Sequence, residues 1–222
     1  MSEFVPVLVA VQGRPPLVVV GGSAAIAFLL VVEVWWLVGH AIALAHEGGH
    51  ALMAVLTGGR VTRVRVDRDQ TGETEVLVGP VGMVLVTLAG YLAPSAFGLI
   101  AAGLIAHGRS AAVLWASLVL LLPVLVVAAT WFTRFAVVAT VTLIAAVLSR
   151  GSDTVVLWAA CTWTWILLIG GLTHICLHYE AGADLLALRR LSRIPVEISS
   201  HVVAVLALAA LWCAFSWLTG IA

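Results

Sequence analysis

Residues 41–56 have the sequence AIALAHEGGHALMAVL, part of an apolar run from about His40 to Leu56 whose interior carries His46, Glu47 and His50. Residues four apart on a helix are neighbours, with Cβ atoms about 5–6 Å apart, so the two imidazoles share one face. Two histidines at this spacing can bind one zinc ion, and the glutamate between them can reach a zinc-bound water as a base. The stretch therefore predicts a helix that carries a metal site in apolar surroundings.

The composition indicates that these surroundings are a lipid bilayer. Hydrophobic residues make up 63% of the 222 residues and charged residues only 10%, whereas about a quarter of the residues in soluble domains are charged. A soluble fold of this size has too little interior to bury so many apolar side chains. The formal net charge is zero, and no basic tail suggests a nucleic-acid partner. We therefore predict an integral membrane protein.

The apolar runs divide the chain into candidate spans, because a bilayer core of about 30 Å requires roughly 20 apolar residues per helix. We count seven runs, from about Leu17 to Val38, His40 to Leu56, Val81 to Ala106, Ala111 to Thr130, Phe135 to Leu148, Thr154 to Cys176 and Val202 to Leu218. The fifth run is short and can pair with the fourth as a bent unit, so six spans are the alternative. The predicted fold is an all-α membrane protein, a polytopic bundle of about six or seven transmembrane helices in one domain over residues 1–222.

Two polar segments interrupt the apolar runs. In the first, residues 60–78, polar and apolar side chains alternate with the period of a strand on both sides of Asp69-Gln70-Thr71-Gly72, which supplies turn chemistry. We predict a short β-hairpin at the membrane surface, directly after the helix with the two histidines. An exposed edge of such a hairpin, near Val64 and Val66, is expected to pair with an extended peptide through main-chain hydrogen bonds. The second segment, residues 179–200, contains Asp184.

The arginines predict an orientation. With seven spans, one side collects Arg14, Arg60, Arg63, Arg65, Arg68, Arg134, Arg189, Arg190 and Arg193, and the other side has Arg109 and Arg150. Cytoplasmic loops carry the excess of basic residues, so the N-terminus and both polar segments are predicted to be cytoplasmic.

The chain resembles a known family, the site-2 protease-like membrane zinc metallopeptidases (M50). Within that family it resembles the small bacterial M50B-like branch, which has a His-Glu-x-Gly-His-Ala signature. That signature is His46-Glu47-Gly48-Gly49-His50-Ala51 here. The further matching stretches are Leu56-Thr57-Gly58-Gly59-Arg60, Thr71-Gly72 in the hairpin, Ala89 to Gly98, and Asp184-Leu185-Leu186-Ala187-Leu188 ahead of Ile194-Pro195. The resemblance covers roughly residues 35–200.

The resemblance implies a zinc peptidase of the bacterial inner membrane that cleaves membrane-protein or membrane-proximal peptide substrates. It implies His46 and His50 as Zn²⁺ ligands, Glu47 as the catalytic base, and an aspartate as the third metal ligand. Better-known members carry that aspartate in Asn-Pro-Asp-Gly or Leu-Asp-Gly, and neither sequence occurs here. Asp184 is the best positional match. Its rivals are Glu180 and two histidines four residues apart, His174 and His178.

Two other functions remain open at this level. A membrane b-type cytochrome would hold haem between histidines of two spans, such as His50 and His174, and would need neither Glu47 nor Asp184. An inactive family member would bind membrane partners without hydrolysis. The substrate and the oligomeric state are not encoded in any pattern that we identify.

Overall fold

The computed structural model describes residues 13–177, 183–192 and 194–221. It contains eight helices and one hairpin within those ranges, in chain order α1 (Leu17–Glu33), α2 (Trp35–Leu56), β1 (Arg60–Val66), β2 (Gly72–Leu77), α3 (Pro80–Ala106), α4 (Ser110–Val127), α5 (Trp131–Arg150), α6 (Asp153–Leu177), α7 (Ala183–Ser192) and α8 (Val196–Thr219). The predicted all-α membrane bundle with a short hairpin after the histidine helix is confirmed.

The number of spans differs from the prediction. Among the described residues, five helices are long and apolar enough to cross a membrane, namely α3, α4, α5, α6 and α8. Helices α1 and α2 meet this criterion only together, and they bend by 103° at their break, where Val34 departs from helical geometry. With 17 residues, α1 is about 25 Å long, which is shorter than the bilayer core of about 30 Å. The described part of the chain therefore has five spans, or six if α1 and α2 form one bent span, and the count of seven is wrong.

The fifth span is longer than its most apolar stretch suggests. Helix α5 starts at Trp131, four residues before the predicted start, because Thr130 caps it by accepting a hydrogen bond from the backbone N–H of Thr133. Its 20 residues form a helix separate from α4. The fourth and fifth runs are therefore two spans and not one bent unit.

The hairpin packs along α2 as well as following it. Its strands are antiparallel, with Val64 opposite Thr74 and a register shift between Val61 and Arg63. Val64 and Val66 are fully buried. The turn docks at the start of α2, where the side-chain amide of Gln70 donates a hydrogen bond to the carbonyl of Trp35. One face of the hairpin is thus part of the core.

The two ends of the bundle carry different chain segments. Helix α3 leads away from the hairpin for 27 residues, about 40 Å. Just beyond its far end, Gly108 lies against the carbonyl oxygen of Gly13, and the Arg14 guanidinium contacts Gly220 after α8. Arg14 therefore lies opposite the hairpin, and the prediction that they share a side is wrong. The error follows from the span count, because removing one span reverses the parity.

Close packing of α3 with α6 builds the centre of the bundle. The Cα of Gly98 lies against the side chain of Leu168, and that of Gly171 lies against Pro94 and Ser95. Glycine permits this approach, because a Cβ at either position would overlap the opposite helix. Helix α2 packs on the first half of α3, where Gly49 lies against Ala93 and the carbonyl of Ala89. These contacts fix α2 relative to α3 and α6.

Candidate metal centre

Three side-chain atoms from two distant parts of the chain converge on one point. Nε2 of His46 and Nε2 of His50 are 3.1 Å apart. Oδ2 of Asp184 lies 3.2 Å from the first nitrogen and 3.1 Å from the second. The three atoms thus form a nearly equilateral triangle, although Asp184 is 138 residues away from His46 in the chain.

This triangle fits a zinc ion. Nitrogen ligands at about 2.0–2.1 Å from a tetrahedral zinc lie about 3.3–3.4 Å apart, so the observed separations are close to those of a ligand set. Two imidazoles and one carboxylate are also a donor set found in catalytic zinc sites. His46, Glu47 and His50 offer ligand atoms that all lie within 4.8 Å of one another and are buried. The residues present therefore suit a metal.

The local packing orients the two imidazoles. Nδ1 of His50 donates to the carbonyl oxygen of Val86 at 2.8 Å, which leaves the lone pair of Nε2 directed at the triangle. Metal-binding histidines usually have such a second hydrogen bond. The ring of His50 lies against Gly90, and the ring of His46 packs edge-on against Tyr91 with centroids 5.0 Å apart. Nδ1 of His46 is buried and has no hydrogen-bond partner among the described residues.

Helix α7 brings Asp184 to the histidines. Asp184 stands in its first turn, and Leu188, one turn later, is buried in a small core with Ile175 and Val203. This anchor points the carboxylate at α2. The side chain of Asp184 remains 39% exposed, against 8% and 6% for His46 and His50, so the site opens on the aspartate side.

The pKa of Asp184 reflects this position. Burial alone would raise the pKa of the carboxyl, but the polar contacts and the charge interactions with His46 and His50 outweigh burial and lower the pKa below its ordinary value. Asp184 is therefore ionised at neutral pH, the form in which a carboxylate binds a cation.

Strand β2 holds the carboxylate of Glu47. The hydroxyl of Thr74 donates to Oε2 of Glu47 at 2.6 Å, and the Cα of Gly72 lies against the same carboxylate. Glu47 itself is buried. The hairpin thus fixes one oxygen of the carboxylate, and the other has no hydrogen-bond partner among the described residues.

The structure sorts the candidates that the sequence suggested. It brings His46, His50 and Asp184 together and places Glu47 beside them. The ring of His174 packs against that of His46, with centroids 5.3 Å apart, outside the triangle. His178 and Glu180 lie outside the described residues.

Two contacts of the site were not anticipated. Thr74 belongs to the strand alternation that predicted the hairpin, but alternation gives no indication that one hydroxyl reaches Glu47. The carbonyl of Val86 is a backbone group in an apolar helix, and no sequence signal marks it.

The comparison with known proteins identifies a peptidase family, which is consistent with this site. A family model described as Peptidase M50B-like matches residues 19–214. Neither the curated proteins nor the solved structures gave a match.

Proposed function

The chain belongs to the peptidase M50B-like family, and from this premise we propose that it is a membrane-embedded zinc metalloendopeptidase. It would hydrolyse peptide bonds within or next to the membrane. The observation that carries the proposal is the triangle of His46, His50 and Asp184 with the carboxylate of Glu47 next to it, inside a multi-pass membrane protein.

His46, His50 and Asp184 would hold the zinc ion. The metal, when bound, lowers the pKa of a coordinated water and polarises the carbonyl of the substrate. The carboxylate of Asp184 offsets part of the metal's charge, which two neutral imidazoles cannot do. The exposed side of Asp184 is the side from which water enters.

Glu47 would act as the general base. Because Thr74 occupies Oε2, the oxygen available to receive a proton is Oε1. The fixed carboxylate then delivers that proton to the amine that leaves when the peptide bond breaks. Because the carboxylate is already oriented, less conformational entropy is lost when it reaches the reacting water.

The free edge of β2 is the proposed binding site for an extended substrate. The backbone groups of β1 that point away from β2 already have hydrogen-bond partners. The carbonyl of Val64 accepts from the N–H of Ala129. The N–H of Val66 donates to the hydroxyl of Thr133, and its carbonyl accepts from that hydroxyl. The sequence-based expectation of an edge at Val64 and Val66 is therefore wrong. Since the backbone carbonyl of Val64 points away from β2, the N–H and carbonyl of its partner Thr74 point away from β1, to the free edge of β2.

That edge of β2 has no neighbouring strand among the described residues. A peptide added there would lie beside Glu47, which β2 contacts through Thr74. The unwound peptide would satisfy its backbone groups on the strand while one amide reaches the metal site. This arrangement supports hydrolysis of a segment that was helical in the membrane.

The arginines support an orientation in the bacterial inner membrane. The hairpin end of the bundle carries Arg60, Arg63, Arg65, Arg68, Arg134, Arg189 and Arg190, and the other end carries Arg14, Arg109 and Arg150. By the positive-inside rule the hairpin and the metal site would face the cytoplasm. Residues 13–14 would then lie on the opposite side, contrary to the expectation from seven spans.

Metal analysis of the detergent-purified protein tests the proposal. We expect about one zinc per chain and no Soret absorbance. A Soret band would favour the cytochrome alternative. The structure gives that alternative little support, because Nε2 of His50 faces His46 and Asp184, whereas His174 packs on His46. An inactive family member would instead show no cleavage above background, with no difference between the wild type and Glu47→Gln in any assay.

A further inference from the structure

A cavity lies on the far side of α2 from the metal centre. It has a volume of about 520 Å³ and is enclosed by α2, α4, α6 and the start of β1, with smaller contributions from α3 and α5. Gly48 lines it, and a Cβ at Gly48 would meet no atom within 4 Å. Gly48 is two residues from both His46 and His50, about 200° around the helix. The helix itself therefore separates the cavity from the metal.

The walls of this cavity offer an occupant almost no hydrogen bonds. Three of its few polar side chains are satisfied within the protein: Trp163 donates to the hydroxyl of Ser117, which donates to the carbonyl of Val113, and Thr140 donates to the carbonyl of Ala136. The remaining lining is apolar apart from Arg60. An occupant of the interior must therefore be apolar along its length.

The cavity opens towards the lipid. Val55 and Leu120 line it and are also exposed, at 61% and 37%, so the cavity reaches the surface of the bundle between α2 and α4. Its volume lies within the range of roughly 300–1,000 Å³ that is typical of ligand sites. In a membrane, the apolar molecules next to this opening are acyl chains.

Arg60 gives the cavity a charged end. The neighbouring arginines of the hairpin have partners, since Arg63 and Arg65 form ion pairs with Glu75 and Asp67 and Arg68 lies over Trp131. Arg60 is exposed and forms no ion pair with a described residue. It also stands at the arginine-rich end of the bundle, where a cytoplasmic leaflet would present anionic headgroups.

We infer that this cavity binds an anionic phospholipid, with one acyl chain between α2 and α4 and the phosphate at Arg60. Basic pockets between transmembrane helices on the cytoplasmic side bind such headgroups. The lipid packs behind the helix that carries His46 and His50 and stabilises the folded protein by mass action. The inference does not depend on peptidase activity.

Native mass spectrometry of the purified full chain, titrated with phosphatidylglycerol and in parallel with phosphatidylcholine, tests the site. We expect phosphatidylglycerol to bind more tightly. Arg60→Gln should weaken its binding about fivefold, since one arginine near a headgroup contributes about 1 kcal/mol. Arg63→Gln is the matched control: it removes the same charge from the same strand but does not line the cavity, and it should bind like the wild type.

A second variant tests the acyl-chain part of the site. Leu121→Trp fills the cavity from α4 and should reduce the binding of both lipids, and the thermal shift caused by phosphatidylglycerol should shrink with it. Equal losses in Arg60→Gln and Arg63→Gln would overturn the headgroup assignment. Unchanged lipid binding by a monodisperse Leu121→Trp protein would overturn the cavity. Impaired peptide cleavage by that variant with lipid binding intact would assign the cavity to a peptide instead.

Discussion

The hydroxyl of Thr74 on β2 donates a hydrogen bond to the carboxylate of Glu47 on α2, 27 residues earlier in the chain. The contact ties the hairpin to the residue that we propose as the base. It also assigns different tasks to the two oxygens of Glu47, one held by the hairpin and one left for chemistry. The role of the hairpin in catalysis can therefore be tested by single substitutions.

Removal of the Thr74 hydroxyl should reduce turnover more than binding. A hydrogen bond to a charged group contributes about 1.5–3 kcal/mol, so Thr74→Val should lower kcat by about tenfold to a hundredfold and leave KM and zinc content near wild type. Thr74→Ser keeps the hydroxyl and should restore most of the rate. Steady-state cleavage assays compare the two. Equal rates in the valine and serine variants would show that the hydroxyl has no orienting role.

A methyl group at position 72 should displace the carboxylate of Glu47. A Cβ at Gly72 would lie 2.6 Å from Cδ of Glu47, so that side chain must move. Gly72→Ala should therefore lose most of its activity with its fold and metal retained. Gly79→Ala is the control, because a Cβ at Gly79 meets no atom within 4 Å. Similar activity in both variants would contradict the prediction.

Glu47→Gln should keep the fold and the zinc but abolish hydrolysis, because an amide cannot accept the proton of the attacking water. General-base catalysis typically contributes a factor of about 10²–10⁴. The measurement is cleavage rate together with zinc content. Activity within about tenfold of the wild type would be incompatible with Glu47 as the base.

Asp184→Ala should lose zinc, because His46 and His50 alone are one ligand short of the usual three protein ligands. His174→Ala should retain the metal, since His174 packs on His46 outside the triangle. We expect the same of His178→Ala. Zinc per chain after dialysis against a mild chelator is the measurement. A full zinc complement in Asp184→Ala, with loss of zinc in His178→Ala, would transfer the third ligand to the histidine pair.

Proline at Val76 should weaken the binding of an extended substrate. Val76 is two residues after Thr74 on the same strand, so its N–H also points to the free edge of β2. A proline there removes one N–H from the edge and leaves the β1–β2 ladder intact. Val76→Ala keeps that N–H and serves as the control. We expect a higher KM for Val76→Pro alone, in cleavage of a membrane-derived peptide. Equal KM values in the two variants would exclude strand addition at this edge.

The features that could be predicted from the sequence are those that depend on residues close together along the chain. His46 and His50 share a face because they are four residues apart on one helix. The position of Glu47 between them places its carboxylate close to the same site. The length of each apolar run predicted the spans from Val81 onward, and alternation around Asp69-Gln70-Thr71-Gly72 predicted the hairpin. In each case the physical cause acts over a few residues, which a single sequence displays.

The features that could not be predicted depend on contacts between segments that are far apart in the chain. The two runs between Leu17 and Leu56 are both predominantly apolar, and their hydrophobicity gives no sign of the 103° bend at Val34 that removes one span and moves Arg14 to the other end. Asp184 lacks the neighbouring residues of the better-known family members, and the anchoring of α7 through Leu188 brings it to the histidines. Thr74 reaches Glu47 because the hairpin folds back along α2. Burial and close packing bring these pairs together, and neither is written in the local pattern of the chain.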